Sequence, residues 1–193
     1  MFGILRKRKI SLEEQVSTLR QLGFAFHIDD EQLIPSLLES HSSKDYESEP
    51  YFLLLLTINE EHCDEIWTFD MECVEDEDIY TYIVNQFCNL SNGRFSLSNV
   101  ESFVDFEKEI ASVSFEFRGA AYIWELDFEH DWLDPNLLRR LANLADAMGE
   151  TKHYYYFSDG QQLTIVYCTH EAMYQLNRKM RLHFDLLTWK LQD

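Results

Sequence analysis

Between Ala111 and Phe128 apolar and polar residues alternate with a period of two on both sides of one glycine, a pattern that allows little but an antiparallel hairpin. Val113, Phe115 and Phe117 fall on one face, and Ser112, Ser114 and Glu116 on the other. After Gly119 the alternation resumes, with Tyr122, Trp124, Leu126 and Phe128 set against Glu125 and Asp127. A half-buried hairpin needs a core to lean on, so the flanking segments must supply helices or further strands. Lys152–Phe157 and Leu163–Cys168, separated by a turn at Ser158-Asp159-Gly160-Gln161, predict a second hairpin of the same kind.

Helices follow from the other period. Ser11 with Glu14 makes a capping box ahead of Leu12, Val16, Leu19 and Leu22, and Gly23 ends that helix. A short helix is expected over Asp30–Glu39 with Pro35 inside it, followed by an exposed acidic loop over His41–Pro50. Ile79, Ile83, Phe87 and Leu90 share a helical face within Asp78–Leu90. Asp134-Pro135 opens a helix striped by Leu137, Leu141, Leu144 and Met148; Thr169 caps one carrying Met173, Leu176 and Met180. The apolar run Tyr51–Ile58 and the segment Ile66–Met71 are of strand length. Further strands are expected near Ser98–Phe106 and His183–Leu187.

The pattern reads as an α+β protein: a mainly antiparallel sheet of repeated strand-strand-helix blocks, with helices packed on one face. Residues 1–50 form an N-terminal helical segment and acidic loop, and residues 51–193 an α+β domain sharing one core with those helices. Val113, Phe115, Phe117, Trp124, Leu126, Leu141, Leu144 and Ile165 are expected to be buried together.

Charge narrows the function. The chain has 16 Lys and Arg against 35 Asp and Glu, a formal charge of −19 in 193 residues. A field of that sign repels phosphate backbones, so direct nucleic-acid binding is not expected. No uninterrupted apolar run approaches membrane-spanning length. Arg6, Lys7, Arg8 and Lys9 are followed by Ser11-Leu12-Glu13-Glu14 rather than by an apolar segment, so they read as a solvated leader of a cytoplasmic protein.

Cys63, Cys73, Cys88 and Cys168 form no C-x-x-C pair. His62, Cys63 and Cys73 lack a fourth zinc ligand at regular spacing, so no disulfide, metal or cofactor is expected. Nucleophile-elbow, zinc-protease and phosphate-loop motifs are missing from the sequence, and the seven histidines are scattered singly. His130 beside Asp131 is the least implausible acid/base pair. The alternating carboxylates Glu125, Asp127, Glu129, Asp131 and Asp134 read as outward strand positions rather than as a catalytic pair or a calcium loop.

The sharpest anomaly is the 49-residue window between Lys44 and Arg94. It holds 13 carboxylates and not one Lys or Arg. Solubility and helix N-terminal charge explain part of it. The rest points to a docking field for a basic partner made of Glu60, Glu61, Asp64, Glu65, Asp70, Glu72, Glu75, Asp76, Glu77 and Asp78. Trp67, Tyr80, Tyr82 and Trp132 are candidate aromatic anchors.

The hairpin Ser112–Phe128 with Trp124 and Trp132, the helix Pro135–Met148, and the Tyr154–Thr169 hairpin leading into a helix resemble bacterial immunity proteins encoded beside polymorphic toxins. The resemblance implies a non-enzymatic cytoplasmic protein that binds one cognate toxin domain, such as a nuclease, and blocks it. The alternatives are a small enzyme or small-molecule binder with a pocket near His130 and Asp131, and a regulator that mimics nucleic acid.

Overall fold

The computed structural model describes residues 9–188, so Arg6, Lys7 and Arg8 of the expected leader lie outside the described residues. Lys9 is described, and its ammonium meets Glu47 Oε2 at 2.6 Å.

The N-terminal part is helical: α1 (Leu12–Gln21), α2 (Asp30–Ser40), α3 (Ser43–Ser48) and α4 (Phe52–Thr57). Caps placed by the sequence start the first two. Ser11 Oγ accepts from the Glu14 N–H at 3.3 Å and Asp29 Oδ1 from the Gln32 N–H at 3.1 Å. The expected loop at 41–50 instead contains α3, started by Asp45, whose carboxylate accepts from both the backbone N–H and the hydroxyl of Ser42.

The expected strand at Tyr51–Ile58 is also a helix, α4. An unbroken apolar run has no period to distinguish the two states. Four consecutive leucines, strong helix formers, outweigh the β-branched Thr57 and Ile58. Tyr51 turns the chain into α4 at a φ of 65°, and its backbone N–H is held by buried Gln15 Oε1 at 2.7 Å. The first block is therefore helix, strand, helix.

The rest alternates as β1 (Ile66–Asp70), α5 (Ile79–Asn89), β2 (Ser98–Asp105), β3 (Ile110–Phe117), β4 (Ala120–Leu126), α6 (Pro135–Asp146), β5 (Lys152–Ser158), β6 (Gln162–Thr169), α7 (His170–Asn177) and β7 (Asp185–Leu186). These strands make two antiparallel sheets, one ordered β1-β6-β5-β7 and the other β2-β3-β4. The fold is α+β. The β3–β4 turn is the two-residue loop Arg118-Gly119, with both residues at positive φ (52° and 79°), as a twist-matched hairpin requires.

Helices lie against both faces of the four-stranded sheet, not on one. Ile66, Tyr155, Val166 and Cys168 point into a core closed by α1, α2, α3, α4 and α7. Their strand neighbours Trp67, Tyr154, Ile165 and Tyr167 point the other way, into a core shared with α5, α6 and the inner face of the second sheet. Six of the eight residues expected to be buried together are buried in that second core; Trp124 and Leu144 are half-buried against it.

Buried polar groups show where the packing is exacting. His62 accepts from the Asn59 N–H on Nδ1 at 3.4 Å, so its other ring nitrogen carries the proton toward Ser36 Oγ, 3.0 Å away. Burial pushes its pKa down, so the ring is held neutral. Tyr80 is wholly buried, and its hydroxyl lies against the Asp134 backbone without a hydrogen bond of good geometry. Tyr80→Phe removes a desolvated hydroxyl and leaves the ring contacts intact. It is expected to leave stability unchanged or raise it by up to about 1 kcal/mol in urea unfolding; a loss above about 2 kcal/mol would mean the hydroxyl is bonded.

Candidate functional site: an acidic face around helix α5

The carboxylate window folds into three places. Glu75, Asp76, Glu77 and Asp78 are exposed on the turn that enters α5, beside the positive end of its dipole. Asp70 and Glu72 are exposed at the end of β1, and both carboxylates accept from the Gln161 side-chain amide, at 3.3 and 3.4 Å. Glu60, Glu61 and Asp64 sit on the loop before β1. Glu60 and Asp64 line a cleft of about 390 Å³ with Trp67, with Gln86 and Asn89 at the far end of α5, and with Asn92 on the turn just beyond it.

Helix α5 thus has carboxylates at both ends and carries no charged side chain of its own. Its inner stripe, Tyr80, Ile83, Val84 and Phe87, is buried; Tyr82, Asn85 and Asn89 form an exposed stripe at helical spacing. Tyr82 is 47% exposed and touches Trp67 edge-on at 6.5 Å.

Three expected partner-binding residues are not available. Glu65 is 4% exposed; Lys152 Nζ meets its Oε1, and the Ala25 N–H donates to its Oε2 at 2.8 Å. Glu65 lies just before β1, paired with Tyr167 of β6, where Lys152 of β5 reaches its carboxylate, and not on the loop surface. Trp67 (4% exposed) stacks on Phe69 at 4.0 Å inside the core, and Tyr80 is fully buried. They are packing residues. Trp132 is half-buried, held by a bridge to Glu72, so Tyr82 is the one exposed aromatic of the four candidates.

His130 and Asp131 do not assemble a site. His130 is exposed at a φ of 55° and touches Phe128 edge-on; the Asp131 backbone carbonyl accepts from the Val74 N–H. Asp134 is buried as the cap of α6, accepting from the Asn136 and Asp127 N–H groups. Glu125, Asp127 and Glu129 are exposed.

A cluster the sequence conceals lies where β5 meets α7. Asp146 Oδ1 is 2.8 Å from His153 Nδ1, the His153 and His170 rings stack at 4.1 Å, and the Tyr155 hydroxyl bonds His170 Nδ1. The Asp159-Gly160 turn fixes the β5–β6 register and sets His153 opposite Cys168, two residues before His170. Extending that register from the turn would have found the pair. Face-to-face rings cannot aim nitrogen lone pairs at one ion. Among the described residues, no group of three His, Cys, Asp or Glu side chains is placed to hold a metal. Cys168 beside it is no ready nucleophile, because burial pushes its thiol up to about 12.

Among the described residues, no helix is long and apolar enough to cross a membrane. No protein-family model matches the chain, and comparison with curated proteins and with solved structures returns no match to either.

Proposed function

We propose that the protein is a non-enzymatic, cytoplasmic, immunity-type binding protein that neutralises a basic partner, a toxin domain such as a nuclease, through the face around α5. The observation that carries this reading is an uncharged helix stripe with exposed carboxylates at both of its ends. Ordinary solvated surfaces intersperse charges of both signs. Here the exposed Tyr82 supplies apolar contact area, the amides of Asn85 and Asn89 supply hydrogen bonds, and the carboxylates supply a one-signed field that accelerates capture of a cation-rich partner. The likeness of the hairpins and helices to immunity proteins supports the same reading.

The test is association kinetics against a toxin domain encoded beside this gene, at two salt concentrations. Reversing Glu60, Glu61 and Glu75 to Lys is expected to slow association about tenfold or more at low salt, and less as screening rises. Thermal stability should stay within about 1 kcal/mol, since these carboxylates are exposed. Tyr82→Ala is expected to act mainly on dissociation. An on-rate indifferent to both salt and charge reversal would leave the acidic face as plain solvated surface.

A further inference from the structure

One edge of the four-stranded sheet opens onto the same face. In the described order β1 is a terminal strand. Its register is pinned by Tyr167 N–H donating to Glu65 O at 2.8 Å and Met71 N–H donating to Gln161 O at 2.7 Å. In an antiparallel ladder these are the hydrogen-bonded pairs, so alternate residues point their backbone groups the other way. The N–H and C=O of Thr68 and Asp70 are therefore directed off the sheet. Past Asp70 the edge is closed, because Leu133 N–H donates to Met71 O and Val74 N–H to Asp131 O, each at 2.8 Å. The opening is confined to β1 itself, a five-residue strand.

The cleft adjoins the Ile66–Trp67 end of this edge, next to the open positions. One wall is the C-terminal end of α5, the negative end of its dipole; another carries Glu60 and Asp64. Among the cleft-lining residues no Lys or Arg answers these groups. The imidazole of His27 reaches Asp64 Oδ1 at 3.0 Å.

We propose that the outer edge of β1 receives an extended segment of the basic partner as an added strand, with a Lys or Arg side chain of that segment seated in the cleft between Glu60 and the end of α5. The inference rests on the partner reading above and assigns how the partner is gripped. Main-chain hydrogen bonds at Thr68 and Asp70 supply the ladder, and the cleft supplies side-chain selection. Charge disfavours a second copy of this chain as the occupant, since pairing β1 with itself would bring two acidic edges together in a molecule already at −19.

The test uses the whole protein and two octapeptides of alternating Lys and Val, one unmodified and one N-methylated on the residues that would donate to β1. Backbone amide shifts are followed by NMR. The unmodified peptide is expected to shift the amides of Thr68 and Asp70 and the side-chain amides of Asn89 and Asn92. N-methylation, which keeps the charge and removes the donors, should weaken binding at least tenfold, as should Glu60→Lys in the protein. Equal binding of the two peptides, or shifts confined to other faces, would overturn strand addition while leaving a basic partner in place. Failure of the unmodified peptide to bind at millimolar concentration would also overturn it. Salt-independent capture of the toxin domain would instead remove the partner reading.

Discussion

Replacing Glu65 with Ala is expected to destabilise the fold by about 3–5 kcal/mol, the cost of leaving a largely buried ammonium without its counter-ion. Lys152 Nζ meets Glu65 Oε1 across β1, β6 and β5, and both side chains are mostly enclosed. The same carboxylate accepts from the Ala25 N–H at 2.8 Å, so its loss also orphans a backbone donor on the segment after α1. Lys152→Met is expected to cost about as much as Glu65→Ala, because it leaves the buried Glu65 carboxylate without its counter-ion and removes the ammonium over the Tyr167 ring. Glu60→Ala, five residues away and exposed, should change stability by less than about 0.5 kcal/mol. Urea unfolding of the three variants checks the ranking. Equal, small effects for Glu65 and Glu60 would place Glu65 back among the surface carboxylates.

The second large effect is alkaline unfolding. Burial pushes the thiols of Cys63 and Cys168 up to about 12 and those of Cys73 and Cys88 to about 11, from an ordinary 9.0. It also pushes the hydroxyls of Tyr80 and Tyr155 up to about 12. A raised folded-state pKa means that the stability is fully present below the unfolded value, here about pH 9, and is lost as pH climbs through the folded value. In that window the unfolded chain releases protons that the folded chain keeps. Each such thiol costs about 1.4 kcal/mol per pH unit. Four acting together remove about 5–6 kcal/mol per unit up to about pH 11, enough to exhaust an ordinary domain stability within about one to three units. Far-UV circular dichroism should therefore show cooperative unfolding between about pH 10 and 11.5. Cys63→Ala with Cys168→Ala should make the loss with pH shallower. Native ellipticity persisting at pH 12 would contradict the burial of these groups.

What the sequence disclosed follows the physics of each segment. Alternation and glycine turns made the hairpins at Gly119 and Gly160 legible, because a two-residue positive-φ loop and a period of two admit few other conformations. Caps made α1, α6 and α7 legible. Tyr51–Ile58 was not, since a continuous apolar run carries no period and the choice fell to leucine propensity and to Gln15 holding the Tyr51 N–H. In the candidate site, charge was readable and burial was not. Glu65, Trp67 and Tyr80 belong to the same acidic and aromatic window as Glu60 and Tyr82, and which of them face inward depends on a strand register and a helix phase set by distant partners. The Asp146–His153–His170 cluster was hidden because its members come together only once β5 and β6 are paired.

The four-stranded sheet is a party wall. Along β6, Leu163, Ile165 and Tyr167 belong to one core, while Val166 and Cys168 belong to the other. Neither half can be vacated without leaving its neighbour's wall bare to water, so the chain offers no cut that frees a soluble half-molecule. Anyone trimming the protein down to the face around α5 inherits the N-terminal helices as well, and their connecting segment already reaches that face through His27 and Asp64.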